Sequence, residues 1–452
     1  MKNLKIILPS VILAFIVLAA IYSCSEDKRS GDTLPEMKMP FAALNIALKT
    51  QILITNDREY LEELEKESAM SRKQIRRLIK YLLKNQTIDE IKKNAGDELG
   101  RSLKELQDLP DDKKVNFFVI NILAPYLTMT VNNIAVNSTD EKEILSVFAE
   151  IFNVSQDKIN PLLQLTESSS SFHNGGVFKS IHLYELNDYL KKEGFCLDYG
   201  LRGEYANIFK IENVICKDKE WKPDEKISIF VLRRIYPNIL SGRLGYAPAE
   251  HSDVFIIKEP HYHLAKKYKS ELKKKMPQTP YSDLEYEKML GSIGLSIDLE
   301  RANRIRYELA YKDLKGSSLS RIEKNLILQT AFHEAKHRID EIDMPDMRLN
   351  LDMEVSAYLT TAIFGNYPFL GLRQTIEWTG AYYHSVRSAK LGNVLKEIWT
   401  LADKSLKEEY TEELLRAELL KIYENYRTIR GNAHLINLEE FKQRMAPVIL
   451  KN

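Results

Sequence analysis

Ser320-Arg321-Ile322-Glu323 opens a run that ends in His333-Glu334-Ala335-Lys336-His337, and no Gly or Pro stands between them. Ser320 with Glu323 three residues on has the form of a capping box. Ile322, Leu326, Thr330, His333 and His337 then recur at three- and four-residue spacing, which is the period of one helix face. The run predicts a long helix with both histidines turned toward the protein interior. Residues four apart sit about 40° from each other on such a helix, so both imidazoles can reach one tetrahedral metal ion. Glu334 lies about 100° round, close enough to take a proton from a water at that ion without being a ligand. By chance the pattern arises in roughly 1 to 2% of chains of this length and composition.

Working outward, the segment before this helix has the texture of a small sheet. Tyr205 to Cys216, Ile227 to Tyr236 and Val254 to Lys258 are short β-branched and aromatic runs divided by Asp, Pro and Gly. Lys273-Lys274-Lys275-Met276-Pro277 to Pro280 breaks the chain, and from about Leu299 onward the helical period returns. Upstream, Phe41 to about Leu165 reads as helices, with Tyr60-Leu61-Leu64, Ile75-Leu78-Ile79-Leu82-Leu83 and Ile144-Leu145-Phe148-Ile151-Phe152 as their apolar stripes. Thr166 to Gly176, with four serines in a row, reads as a linker or exposed loop. The expected fold is a helix-dominated α+β: a helical domain at 41–165, then an α+β region at 177–452. Its sheet is expected at about 177–260 and its helices at about 295–452.

Composition bounds the function. The chain has 452 residues, 44% of them apolar, enough for more than one core. Gly 18 and Pro 15 are too few for a fibrous repeat. Lys+Arg 65 against Asp+Glu 64 leaves +1, which argues against a nucleic-acid partner. Arg72, Lys73, Arg76, Arg77, Lys80 and Lys84 form a basic helix face, read as a solvated surface or, near a lipid anchor, a contact for anionic headgroups. Nothing sets the oligomeric state.

Lys2 and Lys5 precede a largely apolar run from Ile6 to Tyr22, then Ser23-Cys24-Ser25-Glu26-Asp27. A positive n-region, a hydrophobic stretch and a small residue before a cleavage point make 1–23 an export signal. Ile21-Tyr22-Ser23-Cys24 resembles a bacterial lipoprotein lipobox. The resemblance implies cleavage before Cys24, lipid on Cys24, a polar tether over 24–40, and a place at the periplasmic or surface side of the cell envelope. The other reading of the same run is an uncleaved membrane anchor. Cys196 and Cys216 would then share an oxidising space, as a disulfide or as two buried thiols.

Two carboxylates compete as third ligand. Asp343 stands six residues after His337, but proteases that place a ligand there need a Gly at the position of Asp340 to turn the chain back. Glu354 stands seventeen residues after His337 in Met353-Glu354-Val355-Ser356-Ala357-Tyr358-Leu359, the start of a second helix that a hairpin would bring alongside His333. Over about Leu319 to Gly365, a tenth of the chain, the sequence resembles the gluzincin metallopeptidases, which join His-Glu-x-x-His to a Glu on the next helix, commonly as Glu-x-x-Ala. Glu354 and Ala357 match that form, and the small Ala lets the helices lie close.

The resemblance implies that His333, His337 and Glu354 bind Zn2+, that Glu334 is the catalytic base, and that the substrate is a peptide or protein. Later helices in such enzymes often supply a Tyr or His to the oxyanion. Here Tyr383 and His384, in Trp378-Thr379-Gly380-Ala381-Tyr382-Tyr383-His384, are the candidates. Such enzymes also hold extended substrate on a strand beside the active-site helix, for which Val254-Phe255-Ile256-Ile257 is the candidate edge, with a core strand as the default reading of so apolar a run. His261 and His263 are read as two rings on one side of a strand, a metal pair or a surface pair. The rival to an enzyme is a non-catalytic surface lipoprotein, a binding or assembly module whose His-Glu-x-x-His helix is structural. A zinc hydrolase of other substrates is a third reading.

Overall fold

The computed structural model describes residues 88–451, apart from 132–135, 156–157, 160–165, 170–176, 181–182, 200–205, 235–243, 248–251, 276–289, 292, 296, 344–350, 384–388, 408 and 430–437. The expected export signal, Cys24, the expected tether, the stripes at Tyr60 to Leu83, the expected basic face at Arg72 to Lys84 and His384 lie outside the described residues. The chain forms two compact units, Met1–Ile211 with Arg233–Gly242, and Glu212–Leu232 with Arg243–Asn452. Both helix and sheet are present and helix dominates, so the α+β class holds.

Among the described residues the first unit opens with helices α1 (Ile88–Gln107), α2 (Asp111–Phe118), α3 (Ala124–Val131) and α4 (Ser138–Phe152). Asn137 starts α4 by accepting the Thr139 N–H at 2.9 Å, and Asn153 ends it in the left-handed conformation. Ile144 and Phe148 face a core shared with Leu103, Phe118, Ile122 and Leu127. The stretch expected to be a linker is partly a strand. Thr166–Ser169 (β1) pairs antiparallel with Val177–Ser180 (β2), whose Val177 and Phe178 are of the β-branched and aromatic types that favour strands. The unit continues through α5 (Leu183–Leu190) and β3 (Phe195–Tyr199), which pairs antiparallel with the first residues of β4 (Ala206–Lys222).

In the second unit, the later part of β4 is followed by β5 (Glu225–Arg234), β6 (Gly245–Tyr246) and β7 (Asp253–Ile257), in the sheet order β4-β5-β7-β6. β7 runs parallel to β5 and antiparallel to β6. Its residues are buried throughout, as in a strand covered on both faces and flanked on both sides. The Val254–Ile257 run is therefore central, and β6 is the terminal strand. A continuous apolar run signals burial, and burial is what an edge strand lacks.

The helices follow as α6 (Lys258–Lys274), α7 (Leu299–Leu314), α8 (Leu319–Asp343), α9 (Leu351–Phe364), α10 (Pro368–Tyr383), α11 (Ala389–Lys404), α12 (Glu412–Ile429), α13 (Leu438–Arg444) and α14 (Ala446–Leu450). α8 is the expected motif helix, and it is central. One side packs Leu328, Phe332, Ala335 and Ile339 on the inward residues Ile227, Ile229 and Val231 of β5 and Val254 and Ile256 of β7. Another carries Ile322 and Leu326 against Tyr268, Leu314 and Leu370. Its cap is Ser318, whose Oγ accepts the Arg321 N–H at 3.2 Å, so the expected box at Ser320 is displaced by two residues. His261 and His263 are on helix α6. Two residues apart on a helix point about 160° away from each other, which rules out the strand pair.

Among the described residues no helix is long and apolar enough to cross a membrane. Cys196 and Cys216 are both free thiols, which excludes the disulfide reading.

Candidate metal centre

The second helix returns as the hairpin reading expects, and close packing makes this possible. Thr361 Oγ1 of α9 lies 3.5 Å from the Gln329 carbonyl of α8, and Ala357 is fully buried. Small residues also seat the next helix: a methyl on Gly371 of α10 would lie 2.7 Å from Ala362 Cα of α9.

The side chains of His333, His337 and Glu354 converge. His337 Nε2 is 2.9 Å from His333 Nε2. Glu354 Oε2 is 3.4 Å from His333 Nε2, and Oε1 is 3.6 Å from His337 Nε2. Two imidazole nitrogens and a carboxylate turned toward one point need positive charge there, as a proton or a metal cation. Ligands about 2.0–2.1 Å from a tetrahedral ion stand about 3.3 Å apart, and the three edges bracket that value. The side chains are 12%, 6% and 20% exposed, so the point is enclosed but open on one side.

Burial pushes the Glu354 carboxyl up, but hydrogen bonding and charge from His333 and His337 outweigh it and hold the group well below the usual carboxylate range. Both Nδ1 atoms are buried and have no hydrogen-bond partner among the described residues.

Glu334, next in sequence to His333, is buried and lies against the sheet at Gly245. A methyl on Gly245 of β6 would lie 3.0 Å from Glu334 Cγ and 2.9 Å from Thr330 Cγ2. The terminal strand thus passes directly over the glutamate, and any side chain there would force its neighbours to shift.

No family model, curated protein or solved structure matches this chain.

The other candidates divide. Asp343 is at the end of α8, paired with Lys222 of β4, and is not part of the cluster. Tyr383 ends α10, and its side chain, like His384, lies outside what is described.

Three features near the site have weak signals in sequence. Tyr358, one turn beyond Glu354, places its ring 4.3 Å from the His333 ring. His261 is buried under the motif helix, with Nε2 2.7 Å from Thr330 Oγ1. Lys336, inside the motif, is fully buried against Asp340. Burial alone would lower the Lys336 ammonium, but the charge of Asp340 raises it above its ordinary value and keeps it protonated. The i,i+4 spacing of Lys336 and Asp340 was visible, but on most helices it marks an exposed pair.

Proposed function

We propose that this protein is a zinc-dependent hydrolase of peptide bonds, tethered at the bacterial cell envelope by lipid on Cys24. The convergence of His333 Nε2, His337 Nε2 and the Glu354 carboxylate carries the reading, with edges of 2.9, 3.4 and 3.6 Å. Two imidazoles and one carboxylate are a donor set typical of catalytic zinc, with a fourth position left for water. Bound there, zinc would act as a Lewis acid and bring the pKa of water near 7. Glu334 takes the proton of the attacking water and returns it to the leaving amine.

Substrate orientation is assigned to β6. It is the terminal strand and crosses Glu334 at Gly245, so an extended peptide adding to its outer side would lie over the base. Main-chain hydrogen bonds would hold it with little regard to sequence.

The test is the metal content of the full chain in detergent by elemental mass spectrometry, beside His333→Ala, Glu354→Ala and Glu334→Gln. The expected result is one zinc per chain in the wild type and in Glu334→Gln, none in the other two, and peptide-library hydrolysis in the wild type alone. A wild type without metal after zinc is restored overturns the proposal and makes the cluster a proton-bridged structural element of a non-catalytic lipoprotein.

A further inference from the structure

Behind the metal cluster, four polar residues on three helices form one buried network. Lys336 Nζ is paired with Asp340 Oδ1 on the next turn of α8, and both side chains are fully buried. The other carboxylate oxygen, Asp340 Oδ2, accepts from Ser356 Oγ of α9 at 3.1 Å. Ser356 Oγ lies 3.4 Å from the Tyr423 hydroxyl of α12, and Lys336 Nζ stands 5.7 Å from the centre of the Tyr423 ring.

A buried ion pair of this kind adds little stability over apolar side chains of equal volume, because taking both charges out of water is costly. What it supplies is direction. With one oxygen committed to Lys336, the Asp340 carboxylate presents the other at a fixed angle in a low dielectric, where a hydrogen bond is strong. Ser356 follows Glu354 by two residues, so the two side chains leave α9 about 160° apart. Glu354 reaches the histidines of α8 from one side, and Ser356 holds Asp340 from the other. A rotation of α9 that relaxed one contact would break the other.

We propose that the Lys336–Asp340–Ser356–Tyr423 network is the positioning device for Glu354, fixing the rotation of α9 against α8 and so setting the affinity and geometry of the metal site. This rests on the metal reading above. Ser356, Asp340 and Lys336 are positioning residues and touch neither metal nor substrate.

The test compares the full-length wild type with Ser356→Ala, Tyr423→Phe and the double variant Lys336→Met/Asp340→Leu. Zinc affinity is read by competition with a chromophoric chelator, site geometry by the visible absorption of cobalt-loaded protein, and fold integrity by melting of the metal-free form. Each of the three variants should bind zinc about 10- to 100-fold more weakly, with shifted cobalt bands. Metal-free melting should stay near that of the wild type. Zinc affinity within twofold of wild type in any folded variant, with unchanged cobalt bands, overturns the proposal; so does a loss that tracks metal-free melting. If one variant does not fold, the other two decide. A wild type that binds no metal sinks the metal reading and the network role together, whereas tight binding by wild type and variants alike sinks only the latter.

Discussion

His261 Nε2 lies 2.7 Å from Thr330 Oγ1, one turn before His333 on the motif helix. The opposite nitrogen, Nδ1, is 2.6 Å from the Ile257 carbonyl. A carbonyl can only accept, so Nδ1 carries the proton of a neutral ring and the Thr330 hydroxyl donates to Nε2. This neutral histidine joins the end of β7 to the helix that bears His333 and His337.

Its titration opposes that of Asp313. Burial pushes the His261 ring down to about 4, only partly offset by its bond to the Ile257 carbonyl. Burial pushes the Asp313 carboxyl up to about 7, against the N–H of Leu370, which donates to it at 2.7 Å. Stability linked to His261 is present above its unfolded value of 6.5 and is lost as pH falls toward 4. Stability linked to Asp313 is present below its unfolded value of 3.8 and is lost as pH rises through 7. Between about pH 4.5 and 6.5 the slopes cancel, each being about 1.4 kcal/mol per pH unit. Trp221, Trp378 and Trp399 all belong to the second unit, so their fluorescence follows its unfolding in urea. His261→Gln should lose stability as pH rises across this window, Asp313→Asn should gain it, and the wild type should be flatter than both. Slopes equal to wild type in both variants would refute the assignment.

Gly245→Ala should separate metal binding from turnover. The added methyl would meet Thr330 Cγ2 at 2.9 Å, Glu334 Cγ at 3.0 Å and the Phe255 carbonyl at 3.0 Å, so Glu334 must shift. Misplacing a catalytic group by about 1 Å can cost on the order of 100-fold in rate, while the overpacking costs about 1–3 kcal/mol. Zinc stoichiometry should be unchanged and peptide turnover should drop at least about tenfold. Full turnover in this variant would remove Glu334 from the reaction.

Glu377→Gln should destabilise the second unit strongly. The carboxylate accepts from Arg306 Nε at 2.7 Å and Arg373 Nε at 2.9 Å, and both arginines are buried. Burial raises the Glu377 carboxyl, but Arg373 and Arg306 outweigh it and hold the group down at about 2. Neutralising it leaves Arg306 and Arg373 with one buried carboxylate, Glu271 at 2.7 Å from Arg373, against two buried positive charges, a loss of about 3–5 kcal/mol. The same carboxylate contributes stability that is present above pH 4.5 and lost as pH falls through 2. Urea midpoints from pH 2 to 6 check both, and a midpoint within error of wild type at pH 6 would contradict the pairing.

Thiol counting tests the N-terminus and the core together. Burial pushes the Cys216 thiol up to about 11, so it should resist a thiol reagent at pH 8 in the folded protein. After unfolding without reductant, two reactive thiols per chain are expected if Cys24 carries lipid and three if it does not. Fewer than two would mean that Cys196 and Cys216 had paired, against the free thiols of the structure.

What could be read without tertiary information was local. The motif helix and the Leu299 start of α7 follow from a period of 3.6, and the strands at Ile227 and Val254 from short β-branched and aromatic runs, which adjacent residues express by themselves. The convergence of His333, His337 and Glu354 was within reach because four-residue spacing aligns two imidazoles, and because the next helix packs back against the first. β6 was missed because two residues express no period. The Thr166–Ser169 strand was missed because serine-rich stretches read as loops.

The sequence by itself determined a helix-dominated α+β chain and one face able to gather metal ligands, since both depend on spacing along consecutive residues. Tertiary structure decided that β7 is central and β6 terminal, that Lys336 is paired in the interior instead of on the surface, and that Gly245 lies over Glu334. It also decided that Glu354 comes within 3.4 and 3.6 Å of the two histidines. Each of these is a meeting of residues distant along the chain, and only the packing of sheet and helices around α8 brings such residues together.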